Sequence, residues 1–550
     1  MEKNIFKKNF IINIIKKDLF YKKYKKIKTR FPPEPNGYLH IGHVKSLFLN
    51  YYISKHYNGI FNLRFDDTNP VYENIKYIKS IKQNIKWLGI NVNNIYYTSN
   101  YFNQIYDYAI ELIIKKLAYV EKLSKKKIKK YKGNLTNLGK NSPYRNKSVI
   151  KNLNIFKKMK KGYFSEGTMC LRAKINMYSP NIIMRDPILY RIKYISHYRT
   201  IKKWCIYPTY DFSHCISDAI EKISHSLCTL EFTKNRILYN WILKNLTISF
   251  NPCQYEFSKL NLTFSILSKK KLNFLVNNKI VNGWNDPRMP TLSAYKKKGY
   301  TAKSILSFCK NIGISKKENI IDIMMLESYV RNDLNINALR VMGVLNPLTI
   351  IIKNMGIQTE MILIQLHPKK KNLGFRIVPF SRKIYIDKYD FKEKFDKKYK
   401  RLILGKKIKL RNSYIIKAKK INKNICGIIK TIYCNYYLNI TNQKKNNYKL
   451  KNIIHWVSKK HSILVFIYLY NNLFKTPNPL KYKNLITIIN PFSLIIKNSY
   501  IEPSLFYSQN KKTYQFERIG YFYLNNYNYK NNLIFNRIIT LKQNKFKKNN

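Results

Sequence analysis

Negative charge is scarce in this chain. Its 550 residues carry 28 Asp and Glu against 104 Lys and Arg, a formal net charge of +76. No acidic residue occurs from Lys397 to Ile501. A field of that sign holds polyanions, with nucleic acid the first candidate. A second origin stays open, because the abundant residues (Lys, Asn, Ile, Tyr, Phe) all have A/T-rich codons. Genome drift toward A and T enriches lysine without any partner. Long apolar runs are missing too: none approaches the ~20 residues of a membrane span, so no membrane partner is expected. Cysteine is sparse and scattered. There are eight, with no C-x-x-C pair. Cys426 and Cys434, the closest two, have no His or Cys pair at zinc spacing. This predicts free thiols, no structural metal and a reducing, cytoplasmic setting. Met1 to Lys26 alternates Ile and Phe with Lys, as a transit peptide can. Glu2, Asp18 and the lack of Ser, or of any Arg before Arg30, argue against one. An apolar content of 45% with 24% charged residues rules out wholesale disorder. The length allows about three to five domains.

Lys26 to Phe31 reads as a strand, broken by Pro32, Pro33 and Pro35 and turned at Asn36-Gly37. From His43 to Ile53 the pattern is helical, with Val44, Leu47, Phe48 and Tyr51 on one face. Ile60 to Phe65 is a second strand, ending in Asp66-Asp67-Thr68-Asn69-Pro70. This βαβ unit predicts a parallel sheet with its ligand crevice at the strand carboxyl ends. Trp204–Pro208 and Leu227–Phe232 read as strands and Asn235–Leu246 as a helix. From Leu260 to about Leu339 the pattern is mainly helical. Beyond it, short β-branched and Tyr-rich runs between turns suggest antiparallel barrels. The Lys/Asn tracts at 443–452 and 541–550 are low-complexity, and no internal repeat is visible.

Two elements point to chemistry. Pro35-Asn36-Gly37-Tyr38-Leu39-His40-Ile41-Gly42-His43 lies between a strand and a helix. Helix N-termini offer unpaired N–H donors and a positive dipole end to phosphate. Gly42 lets the backbone approach a nucleotide, and two imidazoles at i and i+3 can donate to triphosphate oxygens. The second is Ile266-Leu267-Ser268-Lys269-Lys270-Lys271, whose lysine can neutralise a pyrophosphate leaving group. In a lysine-rich chain such a run is ordinarily a solvated face, and its position relative to His43 gives it meaning.

Together these elements resemble the HIGH and KMSK signatures of class I aminoacyl-tRNA synthetases. Arg30 to His43 and Leu63 to Pro70 look like the glutaminyl branch of that family. So do Trp204 to Phe212, His225 to Phe232 and Gln515-Phe516-Glu517-Arg518. The likeness runs from about Asn9 to about Leu541. Leu267 replaces the methionine of the family's M-S-K form, a swap that keeps volume.

The resemblance implies an α/β Rossmann-type catalytic domain with an inserted acceptor-stem domain, a helical linking domain and two C-terminal antiparallel β-barrels. The expected divisions are an N-terminal helical segment (1–25), the two catalytic halves (26–99 and 210–259) and the insertion (100–209). The helical domain with the KMSK-like loop (260–339) and the barrels (340–550) follow. It implies ligation of L-glutamine to tRNA(Gln), with ATP and Mg²⁺, by a monomer. His40, His43 and Lys269 would contact the triphosphate as catalytic groups. Glu34, Pro35, Asn36, Gly42, Leu260 and Ser268 would complete the ATP site. Arg30, Asp66, Tyr210, His214, Cys228 and Gln254 would hold glutamine, with Asp66 on the α-ammonium. Leu135, matching an apolar residue that helps open the first base pair, and Lys234 would meet the acceptor stem. Arg340, Lys400, Arg401, Gln515 and Arg518 would meet the anticodon, where Arg and Gln suit splayed bases. Lys234 departs from the family, which usually places an acid there, in the acceptor-stem minor groove at the third base pair. A glutamyl-specific relative commonly carries Arg at the position of Cys228, so glutamine is expected over glutamate. A tRNA-modifying relative would lack the anticodon half. A decayed, non-catalytic tRNA binder would have lost the signature residues.

Overall fold

The computed structural model describes residues 9–437, 452–507, 512–527 and 533–542. Residues 1–8 of the expected N-terminal segment, and nearly all of both Lys/Asn tracts, lie outside them.

The strand Lys28–Phe31 pairs in parallel with Ile60–Phe65, which pairs in parallel with Asn94–Tyr97. A second parallel pair joins His225–Thr229 to Cys253–Phe257. The Ser224 N–H donates to the Lys28 carbonyl at 3.0 Å, bringing the two pairs together. The helix Ile41–His56 crosses between the first two strands, burying Val44, Leu47 and Phe48 against Phe31, Phe61, Leu63 and Phe65. The central strands are buried on nearly every residue, as a sheet covered on both faces requires. The strand expected at Leu227–Phe232 begins two residues earlier and stops at Thr229, where a 3₁₀ turn over Leu230–Phe232 takes over.

Between the three-stranded and the two-stranded parallel sheets the chain forms an antiparallel four-stranded sheet: Ala118–Glu121, Cys170–Ala173, Ile188–Ile192 and Ile206–Pro208. It has its own core with the helices Phe102–Ile114 and Val149–Lys160. After Leu260 come the helices Lys269–Asn277, Leu292–Lys298, Ala302–Asn311 and Ile323–Asn337. The N-terminal helix Phe10–Phe20, capped by the Asn9 side chain, packs Ile11 and Ile15 on Leu227 and Phe257.

The C-terminal region forms two seven-stranded sheets, each around its own core. Their strands are not purely antiparallel as expected. Leu339–Val341 runs parallel to Thr513–Phe516, Pro347–Ile352 to Ile429–Tyr437, and Ile463–Tyr470 to Leu533–Thr540. Nesting separates the first of these pairs, and in the other two the chain returns after further strands within its own stretch. One sheet takes strands from 339–344 and from 463–540, while the other, 347–458, sits between them in sequence. Strands that meet after such a detour need not alternate in direction.

Candidate functional site

The signature helix starts where the sequence places it. His40 is extended (φ −116°, ψ 170°) and caps the helix Ile41–His56. The Leu39–Ile41 segment is clamped by the helical region: Ile41 N–H donates to Pro290 O, and Leu292 N–H to Leu39 O. The His40 and His43 rings stack, centroids 3.7 Å apart. The His40 backbone N–H donates to His43 Nδ1 at 3.1 Å. That bond makes Nδ1 an acceptor, so the proton of a neutral His43 sits on Nε2. Burial pushes His43 down to about 4 and, with His43 beside it, pushes His40 well down too. Both rings are neutral donors near pH 7, and His40 Nδ1 is buried without a hydrogen-bond partner.

The KMSK-like element folds onto this motif. Ser268 caps the helix Lys269–Asn277 without using its side chain. A β-carbon on Gly42 would meet Leu267 Cδ1 and the His40 ring at 3.0 Å. One on Gly37 would meet Lys269 Cε at 3.2 Å and Nζ at 3.6 Å. Glycine at both positions lets the two elements touch. Burial lowers the Lys269 ammonium, opposed by Glu34. Burial, with Asp66 and Glu73, raises Glu34, whose carboxylate accepts from the Asn36 amide.

These residues line a cavity of about 840 Å³. Glu34, Asn36, His40, Gly42, His43, Leu260, Ser268 and Lys269 lie on its wall, as do Tyr210 and Cys228. Pro35 does not; its carbonyl accepts from Asn74 N–H at 3.0 Å. Arg30, Asp66 and His214 form a buried cluster that adjoins the wall. Arg30 reaches Asp218 at 3.0 Å, Ser226 Oγ at 2.7 Å and Cys228 Sγ at 3.6 Å. Arg64 bonds Asp66 at 2.6 Å and Asp218 at 2.7 Å. His214 lies between the guanidinium groups, with its ring stacked on Tyr210 at 4.9 Å. Burial would lower His214, but Asp218 and Asp66 raise it to about 9, so two arginines and a cationic imidazole face Asp66, Asp218 and Glu221, the last 3.5 Å from Arg64. Burial would raise Asp66, but Arg64 and His214 hold it below the usual carboxylate range. Its Oδ2 takes no hydrogen bond, leaving one acceptor open. The surroundings of Cys228 are less neutral than the sequence suggests: burial raises the thiol, yet Arg30 and His214 pull it below its ordinary value. Gln254 does not reach the wall. Its amide donates to Phe232 O and Glu256 Oε1, so it faces inward along the sheet.

Sequence reasoning missed several wall residues. Glu231 and Lys259 pair at 2.7 Å, and Trp284 sits 5.4 Å from the Tyr38 ring. The segment Pro477–Lys481 reaches the wall from the C-terminal region, with Phe264 N–H donating to Pro477 O at 2.8 Å. No local pattern announces such a visit.

The remaining candidates lie elsewhere. Leu135 is 81% exposed at a loop tip. Lys234 is exposed, its carbonyl accepting from Asn181. Arg340 and Gln515 are paired neighbours in the sheet, tied through Asn335 and Tyr521. Arg401 and Arg518 both bond Asp390, the first at 3.0 Å and the second at 2.9 Å. Lys400 is exposed.

The catalytic-domain model of the class I tRNA synthetases (E and Q) matches residues 26–336. Two anticodon-binding-domain models of the same class match 338–437 and 453–525. The chain belongs to this family. It is 53% identical to the glutamine–tRNA ligase of Serratia proteamaculans, over 97% of each chain. It is 52% identical to those of Yersinia enterocolitica and Proteus mirabilis, again over 97% of each chain. Among the described residues no group of three or more His, Cys, Asp or Glu is placed to hold a metal ion. None of their helices is long and apolar enough to cross a membrane.

Proposed function

We propose that this synthetase joins L-glutamine to the 3′ end of tRNA(Gln) at the expense of ATP, through a glutaminyl-adenylate. The observation that carries the reading is the closure of the two signature elements over one cavity: Leu267 on Gly42 and Lys269 on Gly37. Those contacts set neutral imidazole donors and an ammonium on one wall. The glutamine carboxylate attacks the α-phosphorus of ATP and pyrophosphate leaves. His43 Nε2–H, His40 and Lys269 stabilise charge that builds on the phosphates. Asn36 and Glu34 border the nucleotide, and Leu260 and Gly42 give it an apolar floor and close backbone. Mg²⁺, travelling with ATP, screens the phosphate charge. Asp66 receives the α-ammonium, with Tyr210 beside it, while Arg30 and His214 hold the pocket's shape. A ribose hydroxyl of the terminal adenosine of tRNA then takes the acyl group, and AMP leaves as the acyl–phosphate bond breaks, its phosphate receiving the hydroxyl proton. The adenylate is already an activated acyl donor, so positioning suffices and no protein base is assigned.

Leu135 and Lys234 face the acceptor stem in this reading. Arg340, Gln515, Arg401, Arg518 and Lys400 face the anticodon, with Asp390 orienting two of the guanidinium groups. The chain acts as a monomer in the cytoplasm. Aminoacylation of total tRNA with glutamine and with glutamate, in parallel, tests the assignment. Charging with glutamate alone would overturn it.

A further inference from the structure

Arg185 is one of the largest fully buried side chains, 1% exposed, yet it makes no ion pair among the described residues. Its partners are carbonyls. Nε donates to Ser179 O at 2.7 Å. NH1 donates to Lys132 O, Asn134 O and Asn137 O, each at 2.9 Å. Two of these four acceptors belong to the loop that carries Leu135, and Lys132 ends the helix that leads into it. The loop is tightened from within as well: Asn134 Oδ1 accepts from the N–H groups of Thr136 and Asn137, and Asn134 N–H donates to Asn137 O. Gly133, at φ +70°, enters the turn, and a β-carbon there would meet Asn137 O at 2.4 Å. The outcome is an apolar side chain held out into solvent by a rigid backbone. Burying a guanidinium without a carboxylate is costly unless its donors are satisfied. Here Ser179 O takes Nε–H and three carbonyls around the loop share the two NH1 hydrogens, so Arg185 and the loop conformation support each other.

We infer that Arg185 is a positioning residue for the acceptor end of tRNA: it fixes the loop so that Leu135 can intrude at the first base pair. The inference rests on the placement of Leu135 at the acceptor stem proposed above. Arg185 touches no substrate and acts through the loop backbone. A rigid wedge spends none of its binding energy on its own ordering, whereas a floppy one must be ordered on every encounter.

The test is kcat/KM for aminoacylation of two tRNA(Gln) transcripts, one with a paired and one with a mismatched first base pair, by wild type, Leu135→Ala, Arg185→Lys and Asn134→Ala. Lysine keeps the charge but lacks the planar fork. Asn134 is exposed, so its removal loosens the loop without opening the core. On paired tRNA each variant should lose roughly tenfold or more, the scale on which misplacement acts. The mismatched tRNA, already open, should restore most of that loss. Equal losses on both transcripts for Arg185→Lys and Asn134→Ala, with Leu135→Ala still rescued, would overturn the role of Arg185 and leave the wedge standing. No loss for Leu135→Ala on paired tRNA would overturn the wedge and this inference with it.

Discussion

Leu267 rests on Gly42. A β-carbon at Gly42 would come within 3.0 Å of both Leu267 Cδ1 and the His40 ring. The contact couples the loop that follows the catalytic sheet to the first turn of the signature helix. Gly42→Ala must displace Leu267 or His40 by a few tenths of an ångström. Pyrophosphate exchange with tRNA present should fall about tenfold or more, as small misplacements at a reacting centre do. Affinity for tRNA should not change. Undiminished exchange would mean that the two elements separate in the working enzyme.

Removing a phosphate donor outright should cost more. His43→Ala or Lys269→Ala is expected to cut adenylate formation by roughly 100- to 1000-fold, the usual loss for one preorganised donor. Binding of tRNA should survive in both. Wild-type exchange rates in the two variants would disprove the assignment of both elements.

Cys228→Arg should depress glutamine use and raise relative use of glutamate, because a guanidinium pairs with a carboxylate. Arg30 already lies 3.6 Å from Cys228 Sγ, so the new cation also meets repulsion and the variant should unfold at lower temperature. The ratio of kcat/KM for the two amino acids reads the first effect, and thermal unfolding reads the second. An unchanged ratio would place position 228 outside substrate contact.

Three buried imidazoles give the protein an acid limit. Burial pushes His43, His225 and His455 down to about 4 from an ordinary 6.5. The unfolded chain takes up these protons below pH 6.5, while the folded chain resists until about 4. Their contribution is complete above pH 6.5 and is lost as pH falls toward 4. Asp218, held far down by Arg30 despite its burial, adds its own loss only below the ordinary carboxylate range. Asp67 and Glu221, which burial raises to about 6 and about 7, act in the opposite direction over the same window, so the comparison between variants is the readout: from pH 6.5 to 4 the melting temperature of His455→Gln should lose less than that of wild type. Parallel curves for wild type and variant would count against a neutral, buried His455.

Lys234 has three donors and no acceptor, so it cannot accept from the exocyclic amine of guanine in the minor groove. It is exposed beside Asn181. Weak discrimination at the third acceptor-stem pair is expected, with Lys234→Asp restoring part of it, about 1–3 kcal/mol for a well-formed contact. Transcripts differing at that pair alone provide the measurement. A wild type that already rejects the altered pair by roughly a hundredfold would show that another group reads it.

What could be read from sequence was local. The strand–turn–helix around Asn36-Gly37 and His40 announces itself because turn chemistry and helical periodicity act over a few residues. Lys269 was readable only through resemblance, since its run looks like any solvated lysine stretch. Asp218 and Asp390 went unnoticed: each is an ordinary carboxylate until the fold brings Arg30 and Arg64, or Arg401 and Arg518, against it. Gln254 shows the converse. Resemblance set it in the glutamine pocket, but its amide is taken by Glu256. The parallel pairings of the C-terminal sheets escaped for the same reason, because alternation reports which face is buried and not which neighbour is met.

The nested order of those sheets bears on how the protein is made. Leu339–Val341 pairs with Thr513–Phe516, and Gly343–Val344 with the strand Leu494–Ile501. On the ribosome, the early strands wait for roughly 150 residues of synthesis at 5–20 residues per second before any partner exists. The enclosed sheet, 347–458, can close in that interval, while the enclosing one stays open with bare edges. A chain cut short near its end would carry one finished barrel beside an unpaired β edge, and would lack Ile538 and Ile539, which pack into the core of the signature helix. Such a product invites aggregation at that edge.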